Sequence, residues 1–391
     1  MGGKPTHYLG KDQQELNEGT HTMEIRHAAG SLMVVGLGGT ELTGLERAWL
    51  RVVRPAGIIL FRRNIADASQ TRKLLNDATA FCATANLRCV DVEGGTVDRL
   101  RDALAPIPSA QAVMRAAQHT SEPSLIREQG ELVARGIKAF GFNTTLAPVL
   151  DLALPASANV MGTRTAAASP QGVTLYARNF LAGLAAYGVV GCGKHFPGLG
   201  AGTLDSHHDT PTIHRTLRDL NREDLAPYRE LRDELPMLMV NHAAYPDTPG
   251  GARPASASAY WIATLLRKRI GYRGIIFSDD LEMGGILKFL SIEETVIAAV
   301  RAGMDLMEIC HSPELILRAY ESLLHEAERS KSFHNLLVMR ATETSAKRGK
   351  LFSAAPSPPL SISKFEALRS RILRFNEVIA KAQPHAENTI A

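Results

Sequence analysis

The stretch GIIFSDDL (274–281) begins as a short apolar run rich in β-branched residues and closes on a serine and two aspartates. Its apolar residues are successive rather than alternate, which marks a strand buried on both faces. Its polar end marks where the chain leaves the core. Seven other stretches have the same form: SLMVVGL (31–37), GIILF (57–61), RCVDVE (88–93), TTLAPVLDL (144–152), VVGCGKHF (189–196), MLMVNHAAY (237–245) and DLMEIC (305–310).

Most of the intervening segments have helical periodicity. In SLIREQGELVARGIKAF (124–140), Leu125, Ile126, Leu132, Val133, Ile137 and Phe140 build one apolar stripe. Buried strands alternating with helices imply parallel pairing. Eight such units over roughly 290 residues predict an α/β fold of the (β/α)8, TIM-like barrel type rather than an open doubly wound sheet. No G-x-G-x-x-G follows the first strand, which weakens the dinucleotide-binding alternative.

Outside this region the sequence predicts a flexible extension over residues 1–22, with Met23 as an alternative start. The catalytic barrel is expected over 23–350, followed by the proline-rich linker SAAPSPPL (353–360) and an amphipathic helix from Ser361 to Lys381, together the 351–391 tail. The tail helix is expected to pack on the barrel or on a partner subunit. The N-terminus has no apolar core of the kind a secretory signal carries, and no later run reaches the ~20 apolar residues of a membrane span. A cytoplasmic protein is expected. The four cysteines have no C-x-x-C spacing and are expected to be buried free thiols. The 44 basic and 40 acidic residues give a formal charge of +4 with no long basic run, so nucleic acid is not an expected partner.

In a barrel of this type, chemistry sits at the C-terminal ends of the strands. Polar residues fall there repeatedly: Asp91 and Glu93, Asp151, Lys194 and His195, Asn241 and His242, Asp279 and Asp280. After the fifth strand comes KHFPGLGAGTLDSHHDTP (194–211), a glycine-rich loop with three histidines, two aspartates and a lysine. Read from residues alone, three chemistries compete for it. A metal site would use His195, His207 and His208, yet the first strand ends GLGG with no ligand. A phosphate cradle would use the glycine N–H groups and Lys194, against a mouth rich in carboxylates. Glycoside cleavage needs a carboxylate nucleophile on a rigid strand end and a separate proton donor, which a mobile loop can carry.

Three motifs in order, VDVEGGTVDRL (90–100), KHFPGLG…DSHHDTP (194–211) and IIFSDDLEMGG (275–285), resemble glycoside hydrolase family 3, in its β-N-acetylglucosaminidase branch. The likeness runs from Met23 to Glu314. It implies a retaining exo-enzyme that releases terminal, non-reducing β-linked N-acetylglucosamine, acts on muropeptides in peptidoglycan recycling, and needs no cofactor or metal. By this resemblance Asp279 matches the nucleophile, His207 the acid/base and Asp205 its carboxylate partner. Asp91, Arg99, Arg164, Lys194 and His195 match sugar-binding positions. Asp280 is expected to cap the following helix. A competing reading makes Arg99 and Arg164 structural ion-pair partners, Lys194 and His195 hydrogen-bonded mouth residues, and Asp279 and Asp280 a solvated acidic pair at a helix N-terminus. Asp151 and His242 are expected to be structural.

Leu199 and Thr96 depart from the family, which often has histidine and arginine there. The alternatives are a related β-glucosidase, a phosphorylase passing the glycosyl group to phosphate, or a non-catalytic muropeptide-binding protein. Whether the chain is a monomer or a homodimer is left open by the sequence.

Overall fold

The structure, a computed structural model, describes residues 25–202, 211–354 and 357–383. The barrel begins with β1 (Met33–Gly36), β2 (Gly57–Leu60) and β3 (Leu87–Val90). The chain then turns out of the sheet into a hairpin, β4 (Val92–Gly94) and β5 (Val97–Asp98), before returning with β6 (Thr144–Thr145). β7 (Val190–Phe196), β8 (Met237–Val240), β9 (Ile275–Asp280) and β10 (Leu306–Ile309) follow. The eight barrel strands are all parallel, and β10 pairs with β1 to close the ring.

Each of the eight apolar stretches therefore supplies one barrel strand. Their continuous hydrophobicity has a simple cause. Val34, Ile59, Leu146, Met239 and Phe277 fill the interior, while Val35, Ile58, Leu238 and Ile276 on the other face pack in the layer beneath the helices. The fourth stretch differs from expectation. It pairs regularly at Thr144–Thr145 alone and touches the sheet again through an isolated bridge from Val149 to Lys194. Pro148 lacks the N–H that a continuous ladder would need.

The helix Ser124–Ala139 forms where the periodicity placed it and buries Ile126, Leu132, Val133 and Ile137. At the opposite end of the barrel from the polar strand ends, Phe352 closes the interior cluster. Buried Arg348 there reaches the carbonyls of Ala56 and Thr84. The tail helix spans Ile362–Lys381 and buries Leu368, Ile372, Phe375 and Ile379. It packs on the barrel's own helices: Phe365 lies against Phe140, Arg371 pairs with Glu128 at 2.9 Å, and Asn376 donates to the Pro106 carbonyl. All four cysteines are free thiols, three of them buried. Among the described residues, no helix is long and apolar enough to cross a membrane.

Candidate active site

The strand ends open onto a cavity of about 440 Å³, within the usual range for small-molecule sites. Asp91, Glu93, Arg99, Arg164, Lys194, His195, Asp279 and Asp280 all line it. A larger cavity, about 940 Å³, lies between the helix Ala68–Thr79 and residues 357–365. Its charged residues, Asp67, Arg72, Lys73, Asp77 and Arg88, are fewer than those gathered at the strand ends, so convergent chemistry rather than volume marks the site.

Two irregularities in the barrel explain how adjacent residues both face this cavity. On a regular strand, neighbours point to opposite faces. The pairing of β7 with β8 shifts between Gly193 and Phe196, and Lys194 and His195 both line the cavity. The pairing of β9 with β10 shifts between Leu306 and Glu308, where Asp279 and Asp280 both do. Bulges at barrel rims re-aim side chains in this way.

The hairpin β4–β5 brings the next set. Its turn needs Gly94 at φ +92°, where a Cβ would also stand 2.1 Å from the Pro108 carbonyl oxygen. Asp98 secures the return by accepting from the N–H groups of Leu100 and Ile107. Glu93 is thereby buried between two cations. Arg164 donates to it twice, at 2.8 and 2.9 Å, and Lys194 Nζ lies 2.6 Å away. Lys194 also reaches Asp91 at 2.8 Å, and Arg99 stands 3.8 Å from the same aspartate.

Burial opposes the charges on Glu93, Arg164 and Lys194, and the partners outweigh it. Arg164 and Lys194 hold the Glu93 carboxyl well below its ordinary range. Asp91 and Glu93 hold the Lys194 ammonium above its own. His195 joins the network from the side. Its Nδ1 is 2.6 Å from Asp151, which also accepts the His195 and Leu199 backbone N–H groups. A carboxylate only accepts, so Nδ1 carries the proton, and Nε2 faces Arg164 at 3.4 Å.

Asp279 ends β9. Burial raises its pKa, but the imidazoles of His195 and His242, the Lys194 ammonium and the Asp280 N–H outweigh this and hold the carboxyl below its ordinary range. It is a half-buried, ionised carboxylate facing a cavity. His242 steadies the strand end by donating from Nε2 to the Asp280 carbonyl at 2.9 Å while Nδ1 accepts from Ser256. Asp280 does not cap the next helix as expected. It accepts from the Glu282 N–H to close a turn, and Met283 occupies the cap position of the helix Gly284–Leu287.

The expected sugar-binding residues Asp91, Arg99, Arg164, Lys194 and His195 are thus brought together with Asp279. Arg164 and Lys194 are at the same time the ion-pair partners of Glu93. Asp205 and His207 lie outside the described residues. Leu199 lines the cavity, whereas Thr96 is exposed at the hairpin tip. Sequence reasoning left Glu93 without a role, although its spacing of two from Asp91 is the signal that both face one side. It also passed over Glu308, a single carboxylate inside the apolar stretch DLMEIC that reaches the same cavity.

A closed parallel barrel with an ionised carboxylate and a cation-braced polar cluster at its strand ends defines a barrel enzyme acting on a polar small molecule. The chain belongs to glycosyl hydrolase family 3: the family model of the N-terminal domain matches residues 25–342. It is a glycoside hydrolase. It is 38% identical over 288 residues to a β-hexosaminidase of Thiobacillus denitrificans, covering 72% of this chain and 79% of that protein. A β-hexosaminidase of Pseudomonas aeruginosa is 37% identical over 297 residues, covering 75% and 87%. Among solved structures, a family 3 β-N-acetylglucosaminidase from Paenibacillus sp. superposes with a TM-score of 0.79 at 30% identity, covering 90% of this chain and 68% of that one. Native NagZ from Neisseria gonorrhoeae gives 0.72 at 28% identity, covering 91% and 98%.

Proposed function

We propose that the chain is a retaining exo-β-N-acetylglucosaminidase, with Asp279 as nucleophile and His207, oriented by Asp205, as acid/base. The observation that carries this reading is the ionised, half-buried Asp279 at the end of β9, facing the polar cluster of Lys194, Asp91, Glu93, Arg164 and His195. An ionised carboxylate in a cavity is a nucleophile kept ready, and its depressed pKa keeps it so through the neutral range. The cluster opposite offers donors and acceptors in fixed positions, as recognition of sugar hydroxyls requires. Asp91, Arg99, Arg164, Lys194 and His195 bind the terminal sugar.

In the first half-reaction the Asp279 carboxylate attacks the anomeric carbon while His207 gives its proton to the departing glycosidic oxygen. The product is a glycosyl ester on Asp279 and a neutral imidazole. In the second half, that imidazole takes a proton from water, the resulting oxygen attacks the anomeric carbon, and the ester bond to Asp279 breaks. Asp205 fixes the imidazole tautomer and stabilises its charged form. The natural substrates are muropeptides carrying a terminal N-acetylglucosamine, in peptidoglycan recycling. Names of the related proteins, β-hexosaminidase and β-N-acetylglucosaminidase, support the sugar class.

The test is turnover of aryl β-glycosides of N-acetylglucosamine and of glucose, with and without inorganic phosphate. Release from the N-acetylglucosaminide alone, at a rate indifferent to phosphate, is expected. Preference for the glucoside, or a glycosyl phosphate product, would overturn the reading, as would inactivity on all of them.

A further inference from the structure

The ends of β9 and β10 gather a second set of donors that the glycosidase reading does not use. Asp280, Cys310 and His311 each offer one metal-ligating atom, and these atoms all lie within 4.8 Å of one another. His311 Nδ1 stands 3.7 Å from Asp280 Oδ2. In a tetrahedral zinc site, bonds of roughly 2.0–2.3 Å place neighbouring ligand atoms roughly 3.3–3.7 Å apart. The His311–Asp280 spacing already matches one edge of that tetrahedron.

Geometry also settles access and orientation. Cys310 is 1% exposed, yet it lines the cavity, as do Asp280 and His311, so an ion arriving through the mouth meets all three. The His311 ring is stacked on Phe61 at 5.3 Å between centroids, and its Nδ1 lies 3.0 Å from Glu282 Oε2. Ligation through Nδ1 replaces that contact, since one ring nitrogen cannot serve both partners.

An independent observation points to a missing partner. Glu308 is 3% exposed and lines the same cavity. One carboxyl oxygen receives only the weak thiol donor of Cys310 at 3.1 Å, and the other has no hydrogen-bond partner. Buried carboxyl oxygens are normally satisfied, and an orphan in a native fold calls for a ligand or proton to explain it. Glu308 touches this group through the Cys310 thiol, and a ligand shared by a thiol and an imidazole is a borderline-soft cation, since thiolate and imidazole together select zinc over magnesium or calcium.

We propose that Asp280, Cys310 and His311 bind a zinc-class divalent cation, with Glu308 as the carboxylate closing the site on its inner side. Binding expels the Cys310 thiol proton to solvent, so affinity falls as pH is lowered. Occupancy sets a dication against the residue next to Asp279 and obstructs the cavity. The ion is thus an inhibitor of the proposed glycosidase and no part of its chemistry. That last consequence rests on the proposed function; the binding does not.

The test is direct titration of the full chain with zinc by calorimetry and with cobalt(II) by absorption, in wild type, Cys310→Ser, His311→Ala and a double variant of His207 and His208 to Ala. One cation per chain is expected, with a near-ultraviolet thiolate-to-cobalt charge-transfer band that Cys310→Ser abolishes. His311→Ala should weaken binding at least about tenfold, while the double variant should retain it. Absence of saturable binding, absence of the band, or affinity unchanged in His311→Ala would overturn the site. So would loss of binding in the double variant, which keeps Asp280, Cys310 and His311. If Cys310→Ser does not fold, His311→Ala decides, because its side chain is 56% exposed.

Discussion

Arg164 holds Glu93 through two parallel N–H···O bonds of 2.8 and 2.9 Å, and this pair is the hinge of the whole polar cluster. Glu93 is 3% exposed and is shared with Lys194, so its charge balances two buried cations at once. Removing one member of a buried ion pair costs about 3–5 kcal/mol, because the partner stays buried and unpaired. Glu93→Gln keeps the shape and removes the charge. It should lower the unfolding free energy, read from the denaturant midpoint, by an amount in that range and raise KM for the glycoside more than it lowers kcat. A variant as stable as the wild type would show that Arg164 and Lys194 find other partners.

The same carboxylate predicts a pH dependence. Its folded pKa lies below the ordinary 4.5. A depressed carboxyl contributes stability above the unfolded pKa and loses it as pH falls through the folded one. Wild-type stability should therefore decline as pH drops below about 4.5, and Glu93→Gln should decline less steeply there. The measurement is urea unfolding between neutral pH and mild acid. Parallel slopes for the two proteins would assign the acid sensitivity to other carboxylates.

Asp279→Ala should reduce kcat by roughly 10³-fold or more, about 4 kcal/mol of transition-state stabilisation. A 2-fluoro or 5-fluoro glycosyl fluoride should trap the ester, and peptide mapping should place the label on Asp279. Label on Asp280 or Glu93 would identify a different nucleophile. The distinction is real, because Asp280 shares the cavity and stands one residue away.

These residues show how far the sequence reaches and where it stops. All eight strands were legible because parallel strands buried on both faces leave a continuous apolar signal, and the barrel topology then fixed which ends carry chemistry. The positions of Asp279 and Lys194 at strand ends were legible for the same reason, while the roles given to them come from the family resemblance. The bulges at Lys194–His195 and Asp279–Asp280 were not, since a one-residue shift in pairing leaves no mark in composition. Glu93 was seen only as one more mouth carboxylate because its role depends on Arg164, 71 residues away. The Asp280 turn was misread as a helix cap because an aspartate before an apolar segment serves both. Glu308 looked like an isolated polar residue, and only its inward direction on β10 beside Cys310 gives it meaning.

Metal removal should leave catalysis intact. β1 is followed by Leu37, Gly38 and Gly39, which offer no side-chain ligand where a barrel metallohydrolase would begin its set. Exhaustive treatment with EDTA should not lower kcat on the aryl N-acetylglucosaminide. A loss that zinc reverses would replace the covalent mechanism with metal-assisted hydrolysis.

The acid/base assignment makes the sharpest kinetic demand. If His207 protonates the leaving oxygen, its value depends on how strongly that oxygen needs a proton. His207→Ala should therefore be far more damaging for a sugar leaving group than for dinitrophenolate, which departs unaided. With the activated substrate, the slow step should become breakdown of the Asp279 ester, which now lacks a base. Azide needs no deprotonation, so it should accelerate turnover and yield the β-glycosyl azide, the retained configuration reporting two displacements at the same carbon. Asp205→Ala should show the same pattern more mildly, because it orients and charges the imidazole without itself moving the proton. Equal losses on both substrates, with no rescue by azide, would take His207 out of the chemistry and leave the proton donor to be sought among the cavity's other titratable groups.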